Sequence, residues 1–216
     1  MANTRKEEEE IFARLKAQLF EHPNSAPLHY NLGLAYARRG ELDEAISEFK
    51  RAIAINPDMA EAYVNLGGIY FRKGNLEACI KQNLKALELK PDFVQAHCNL
   101  GFVYTQQGKY EEAICEYQKA LEIAPGFAQV HANLGNLYLQ QGNIEASISE
   151  NQKALEINQN FSLAHHNLAI AFLKKGDYKS AIYHCDKAIE LGFPVNPELL
   201  KELESHRQNT STLYKE

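Results

Sequence analysis

Residues 94–127 read VQAHCNLGFVYTQQGKYEEAICEYQKALEIAPGF, and the register of this stretch returns along the chain. Asn-Leu-Gly stands at 31–33, 65–67, 99–101 and 133–135, and Asn-Leu-Ala at 167–169, each 34 residues after the last. A fixed period of that length marks a stacked repeat array, because one helical hairpin cannot bury its apolar face until a neighbour covers it. The complete units run 26–59, 60–93, 94–127, 128–161 and 162–195.

Within each unit, apolar residues at helical spacing, such as Leu100 and Tyr104, lead to a glycine at 40, 74, 108, 142 or 176. A residue just past a helix end often turns left-handed, where glycine carries no Cβ penalty, so these glycines are expected to close the first helix. Basic residues before them (Arg38, Arg39, Arg72, Lys73, Lys174, Lys175) suit the negative helix terminus. The second helix has Ala52, Ala86, Ala120, Ala154 and Ala188 in register, small residues that permit close packing. Glu48, Glu116 and Glu150 precede Arg51, Lys119 and Lys153 by three residues, which predicts a solvated, charge-laced outer face. Pro57, Pro91 and Pro125 are expected to stop the second helix. Asp58 with Glu61, and Asp92 with Gln95, have the spacing of a capping box; the fourth unit departs, with Gln159 for proline.

Helices of roughly a dozen residues are marginal alone, so stability must come from burial between neighbours, and the terminal units need covers. Residues 5–21 read as an amphipathic helix and 1–25 as a half repeat or cap, with Pro23 in register with the later prolines. Residues 196–216 read as a capping helix from Pro197 to about Arg207 with a frayed tail from Gln208.

The pattern Leu100, Gly101, Tyr104, Gly108, Ala113, Tyr117, Ala120, Pro125 resembles the tetratricopeptide repeat (TPR). The departures are Ala169 for glycine, Asn83 and Asn151 at an aromatic slot, and one extra residue before Pro194. The resemblance implies an all-α fold, a right-handed superhelical α-solenoid whose concave wall is built from the first helix of each unit, and a protein or peptide partner. On that geometry the wall carries Tyr30, Asn31 and Leu34; Val64, Asn65 and Phe71; Cys98, Asn99 and Phe102; Ala132, Asn133, Asn136 and Leu139; and His166, Asn167 and Ile170.

Asn31, Asn65, Asn99, Asn133 and Asn167 share one register. An asparagine amide matches the donor and acceptor of a peptide unit whatever its side chain, so these residues are candidates for a ladder that grips an extended backbone. That arrangement is similar to the repeat region of the O-linked N-acetylglucosamine transferase, without a catalytic domain. The other reading is that the amides bond within the wall and stiffen the stack. The carboxylate clamp of chaperone-binding members would need Lys and Arg where this chain has Tyr30, Val64, Cys98, Ala132, His166, Glu61, Gln95 and Gln129.

A formal net charge of −5 argues against a partner recognised through its phosphates, so no nucleic acid is expected. The first ten residues lack the apolar core of a secretory signal and no apolar run approaches a membrane span, so a cytoplasmic location and no membrane insertion are expected. Cys79, Cys98, Cys115 and Cys185 show no zinc or disulfide-scaffold spacing. His29, His97, His131 and His165 recur in a slot that holds Tyr63 in the second unit, which reads as ring packing rather than metal binding. With no phosphate loop or nucleophile motif, the chain reads as a non-enzyme without cofactor or metal. The expected function is a scaffold or adaptor for an extended, partly apolar segment. Two alternatives are a self-assembling scaffold, with residues 5–21 in a neighbour's groove, and a regulatory subunit of a partner enzyme. A compact array of this kind points to a bacterial source.

Overall fold

The computed structural model describes residues 2–212. All regular structure among them is helical, in twelve helices: α1 (Ala2–Glu21), α2 (Ala26–Arg39), α3 (Leu42–Ile55), α4 (Ala60–Arg72), α5 (Leu76–Leu89), α6 (Val94–Gln106), α7 (Tyr110–Ile123), α8 (Ala128–Gln140), α9 (Ile144–Ile157), α10 (Ser162–Lys175), α11 (Tyr178–Glu190) and α12 (Pro197–Thr212). The fold is the all-α solenoid class of stacked helical hairpins. Contacts divide the chain into two compact units, Met1–Glu116 and Tyr117–Glu216. The last helix continues through Thr212, past the expected end at Arg207; the remainder of the expected frayed tail lies outside the described residues.

The glycines close the first helices as expected. Gly40 has φ +80° and Gly176 φ +83°, and the residue after each returns its N–H to an aromatic residue's carbonyl, Glu41 to Tyr36 at 3.0 Å and Asp177 to Phe172 at 2.9 Å. Asn75, Lys109 and Asn143 make the same bond to Tyr70, Tyr104 and Tyr138. Three of the second helices, α5, α9 and α11, are capped by side chains: Asn75, Asn143 and Asp177 accept from the backbone N–H three residues on.

The first helices are not capped that way, and the expected capping boxes at Asp58 and Asp92 do not form. The residues at the helix entrance are Met59, Phe93, Phe127 and Phe161, none with a side-chain cap. Phe93 packs on Ala60, Val64, Ala86 and Ala96, and Phe161 on Ala132, Ala154 and Ala164, so the entrance is fixed by burial instead of a hydrogen bond. Proline is not needed to end the second helix either. α9 stops at Ile157 although Gln159 replaces it.

Three hairpins close where a first-helix glycine meets a second-helix side chain. A Cβ on Gly33 would lie 2.9 Å from the Phe49 ring, and on Gly67 or Gly135 it would lie 2.5 or 2.2 Å from the amide nitrogen of Asn83 or Asn151. In the fifth hairpin Cys185 occupies the second-helix position, and Ala169 packs beside it in one core cluster. The alanine is therefore matched to a smaller partner.

The histidines do more than fill an aromatic slot, and the glutamates expected on the solvated face turn inward to meet them. His29 Nδ1 lies 2.6 Å from Glu48 Oε2, His97 Nδ1 2.6 Å from Glu116 and His131 Nδ1 2.7 Å from Glu150. The opposite ring nitrogen of each faces the carbonyl of Pro23, Pro91 or Pro125. One ring thus ties the preceding loop, the first helix and the second helix together, and Glu48 is 7 % exposed. Both nitrogens of each buried ring are thereby satisfied, while the other oxygen of Glu48 and of Glu150 makes the expected ion pair, with Arg51 at 3.0 Å and with Lys153 at 2.7 Å. Glu88 and Glu190 behave as expected, pairing on the surface with Lys85 and Lys187.

In the fifth hairpin His184 replaces the glutamate, and its Nδ1 lies 2.9 Å from that of His165. Only one of the two can donate in that bond. Burial, and next the charge of His165, pulls the His184 imidazole down to about 4.

At the ends of the described chain, Phe12 of α1 meets Tyr36 edge-on at 5.0 Å, and Leu15 is buried. Leu199 and Leu203 of α12 pack on Ala169, Ala181 and Cys185.

Two outcomes are expected. Gly67→Ala costs roughly 1–3 kcal/mol by overpacking against Asn83, whereas Gly68→Ala, with open space at its Cβ, gains about 0.5–1 kcal/mol in helix propensity, read by urea denaturation. Between about pH 6.5 and 4 the unfolded chain binds a proton that folded His184 refuses, so its contribution is intact above that window and lost as pH falls through it. The melting temperature therefore drops on acidification from 6.5, and His184→Glu, which restores the pairing of the other layers, flattens the profile down to about pH 5; identical profiles would refute this.

Candidate functional site

The sequence-predicted site residues lie on the first helices α2, α4, α6, α8 and α10, but they do not share one environment. In the first unit, Asn31 is exposed, while Tyr30, Leu34, Asn65, Phe71 and Asn99 are half-buried. Phe102 is 37 % exposed and meets Phe71 edge-on, ring centroids 5.1 Å apart. These side chains come from three successive first helices. They present an open aromatic pair near a row of amides.

The amides are already partly engaged. Asn65 donates to the Tyr30 hydroxyl at 3.1 Å and to the Glu61 carbonyl at 2.8 Å. Burial and then the Glu61 charge raise the Tyr30 phenol above its ordinary value, which keeps the hydroxyl protonated. Asn99 donates to Asn83 Oδ1 at 3.0 Å and accepts from Gln95 at 2.9 Å, while Asn83, fully buried, donates to the Cys79 carbonyl. A chain of amides therefore runs from core to surface through Asn83 and Asn99.

In the second unit, Asn133 accepts from Gln129 at 2.8 Å and, like Asn136, His166 and Ile170, is half-buried. Asn167 is different. It is 2 % exposed, and its amide nitrogen donates to the Ala132 carbonyl and to Asn151 Oδ1, both at 3.0 Å. Five positions expected on the open wall thus belong to the core. Asn167 is sealed by its two bonds, Val64 packs with Ala60, Ala86 and Ala96, and Leu139 packs with Ile148, Leu168 and Ala171. Cys98 and Ala132 are buried as well, and burial pushes the Cys98 thiol up to about 12 and Cys79 to about 11. Neither thiol is poised as a nucleophile at neutral pH.

Sequence reasoning missed the partners. Asn83 and Asn151 stood out as departures from an aromatic slot, and each proves to hold the first-helix asparagine sixteen residues on. Where the slot keeps its aromatic ring, as Phe49 does, the following asparagine, Asn65, turns to Tyr30 instead. Among the described residues no group of three or more His, Cys, Asp or Glu could hold a metal ion, and no helix is long and apolar enough to cross a membrane.

The signature described as "TPR repeat" matches residues 35–74, 67–108, 103–142 and 135–176, and "Tetratricopeptide repeat" matches 162–191. No curated protein matches the chain by sequence. Among solved structures, the APC/C hetero-tetramer Cut9-Hcn1 is similar with a TM-score of 0.82 and 21 % identity over 92 % of this chain. The chain spans 39 % of that protein's length. PilF of Pseudomonas aeruginosa is similar with a TM-score of 0.78 and 23 % identity, covering 87 % of this chain and 86 % of its own. YrrB, described as a TPR protein with an unusual peptide-binding site, has a TM-score of 0.64 and 19 % identity, covering 89 % and 97 %. At these identities the likenesses concern the fold alone. With signatures running from residue 35 to residue 191, the chain belongs to the tetratricopeptide-repeat family.

Proposed function

We propose that the first-helix face bearing Asn31, Asn65, Asn99, Phe71 and Phe102 binds an extended, partly apolar segment of another protein, and that the chain is a non-catalytic adaptor. The observation that carries this reading is the half-open Phe71–Phe102 pair, apolar surface left uncovered beside amides that keep part of their capacity. Asn31 is exposed, and Asn99 retains a second carbonyl lone pair for a ligand N–H. A full five-rung ladder like that of the O-linked N-acetylglucosamine transferase repeats is not required. Asn167 serves as wall, and Asn31, Asn65 and Asn99 serve as contacts.

Magnitudes divide the labour. A net hydrogen bond contributes about 1 kcal/mol, whereas micromolar affinity needs about 8 kcal/mol. Apolar burial at about 25 cal/mol per Å², before ordering costs, must supply the larger part. Tyr30, Leu34, Phe71 and Phe102 are the residues to provide it. Residues 26–195 form the array in this reading, with 1–25 and 196–216 as its covers.

The experiment is affinity capture with mass spectrometry, followed by variants against the captured segment. Phe71→Ala with Phe102→Ala is expected to weaken binding by roughly tenfold or more with little change in melting temperature. Asn99→Ala is expected to do both, because it also strands buried Asn83. Intact binding by the double phenylalanine variant would remove the proposal.

One observation favours self-assembly as a second reading: on α1, Phe20 is 90 % exposed and Ile11 45 % exposed. Light scattering is expected to show concentration-dependent dimers that Phe20→Ser abolishes if α1 enters a second copy; a strict monomer eliminates that reading.

A further inference from the structure

The outer face of the second helices breaks its pattern near the start of the chain. Lys85 pairs with Glu88 and Lys187 with Glu190, three residues apart on α5 and α11, and Glu122 and Glu156 hold the same register. In that register α1 carries Ala17 and Phe20, and α3 carries Arg51 and Ala54. Both helices therefore lack the carboxylate, one having a phenyl ring in its place and the other a methyl group. The ring is not tucked in: Phe20 is 90 % exposed. Beside it lies a cleft of about 360 Å³, ample for a phenyl ring, walled by Leu19, Pro23, Ala54 and Ile55 and lined also by Arg51. Resting on the self-assembly reading above, we propose that two copies of this chain pair about a two-fold axis through this surface, Phe20 of each copy seated in the cleft of the other.

A second copy is the occupant because knob and hole lie on one surface. In a two-fold contact the same patch serves both partners, so a protruding ring next to an open cleft is matched twice over. A foreign segment in the cleft would leave Phe20 bare, whereas a second copy covers the ring together with Ile55, itself 41 % exposed. The charges agree. Arg51 uses Nη1 for Glu48 and keeps further N–H donors, with its side chain 60 % exposed. Glu21, exposed and next to Phe20 in the chain, makes no ion pair among the described residues. Seating Phe20 thus brings a carboxylate toward Arg51 of the other copy, where a charge-assisted bond can form. A glutamate at position 20 or 54, as in the later layers, would instead lose its water in the contact without a partner. That confines the surface to α1 and α3.

The test is light scattering on the whole chain over a range of concentrations. Reversible dimers are expected, and Phe20→Ser and Ala54→Glu should each weaken them roughly tenfold or more, since every substitution counts twice in the contact. Both positions are exposed and glutamate is what the later layers carry there, so neither variant should move the melting temperature by more than about 2 °C. Mixing Phe20→Lys chains with Ala54→Glu chains should restore a heterodimer, seen by native mass spectrometry, because one half of the contact becomes a Lys–Glu pair and the other keeps Phe20 on Ala54. No heterodimer in that mixture, or dimers indifferent to Ala54→Glu, would overturn the proposal. If the dimers are lost instead in Phe71→Ala with Phe102→Ala, the proposal falls while self-assembly through the first-helix face stands. A chain monomeric at every concentration removes both.

Discussion

The first, second, fourth and fifth hairpins depend on how closely their two helices approach at one point, where a residue with little or no side chain on the first helix meets a larger one on the second. Gly33 faces Phe49, Gly67 faces Asn83, Gly135 faces Asn151, and Ala169 packs with Cys185. The matching is by volume: alanine enters only where the partner is a cysteine. Interiors packed to crystal-like density leave no room for another arrangement. Once that contact is fixed, the histidine relays follow, because they span the same two helices and the loop before them.

The same contact shapes the candidate binding face. An aromatic residue at the second-helix position, such as Phe49, gives the next asparagine no amide to meet, and Asn65 engages Tyr30 near the surface. An asparagine there reaches outward and ties its counterpart to the core, as Asn83 does with Asn99 and Asn151 with Asn167. The amides in one register are thus part wall and part surface. This is why the aromatic pair, and not the ladder, is the stronger support for a bound segment.

The repeat, the helix ends at glycine and the all-α class were legible because they depend on local chemistry repeated at a fixed spacing. The face of the second helix was less legible. Glu48 and Glu150 make the ion pairs that their spacing before Arg51 and Lys153 predicts, but nothing local says that a histidine nineteen residues earlier takes the other oxygen inside. Val64 and Leu139 were misassigned for a related reason, since helical periodicity gives a face but not where a neighbouring hairpin ends.

The most direct measurement of the central claim is site-specific photocrosslinking in cell extract. Benzoylphenylalanine is placed at Phe102, on the proposed face, or at Tyr183, 56 % exposed on a second helix. The account predicts that the probe at 102 captures a defined extended segment, identified by mass spectrometry, and that the probe at 183 does not. Capture of the same segment through 183 alone would contradict it.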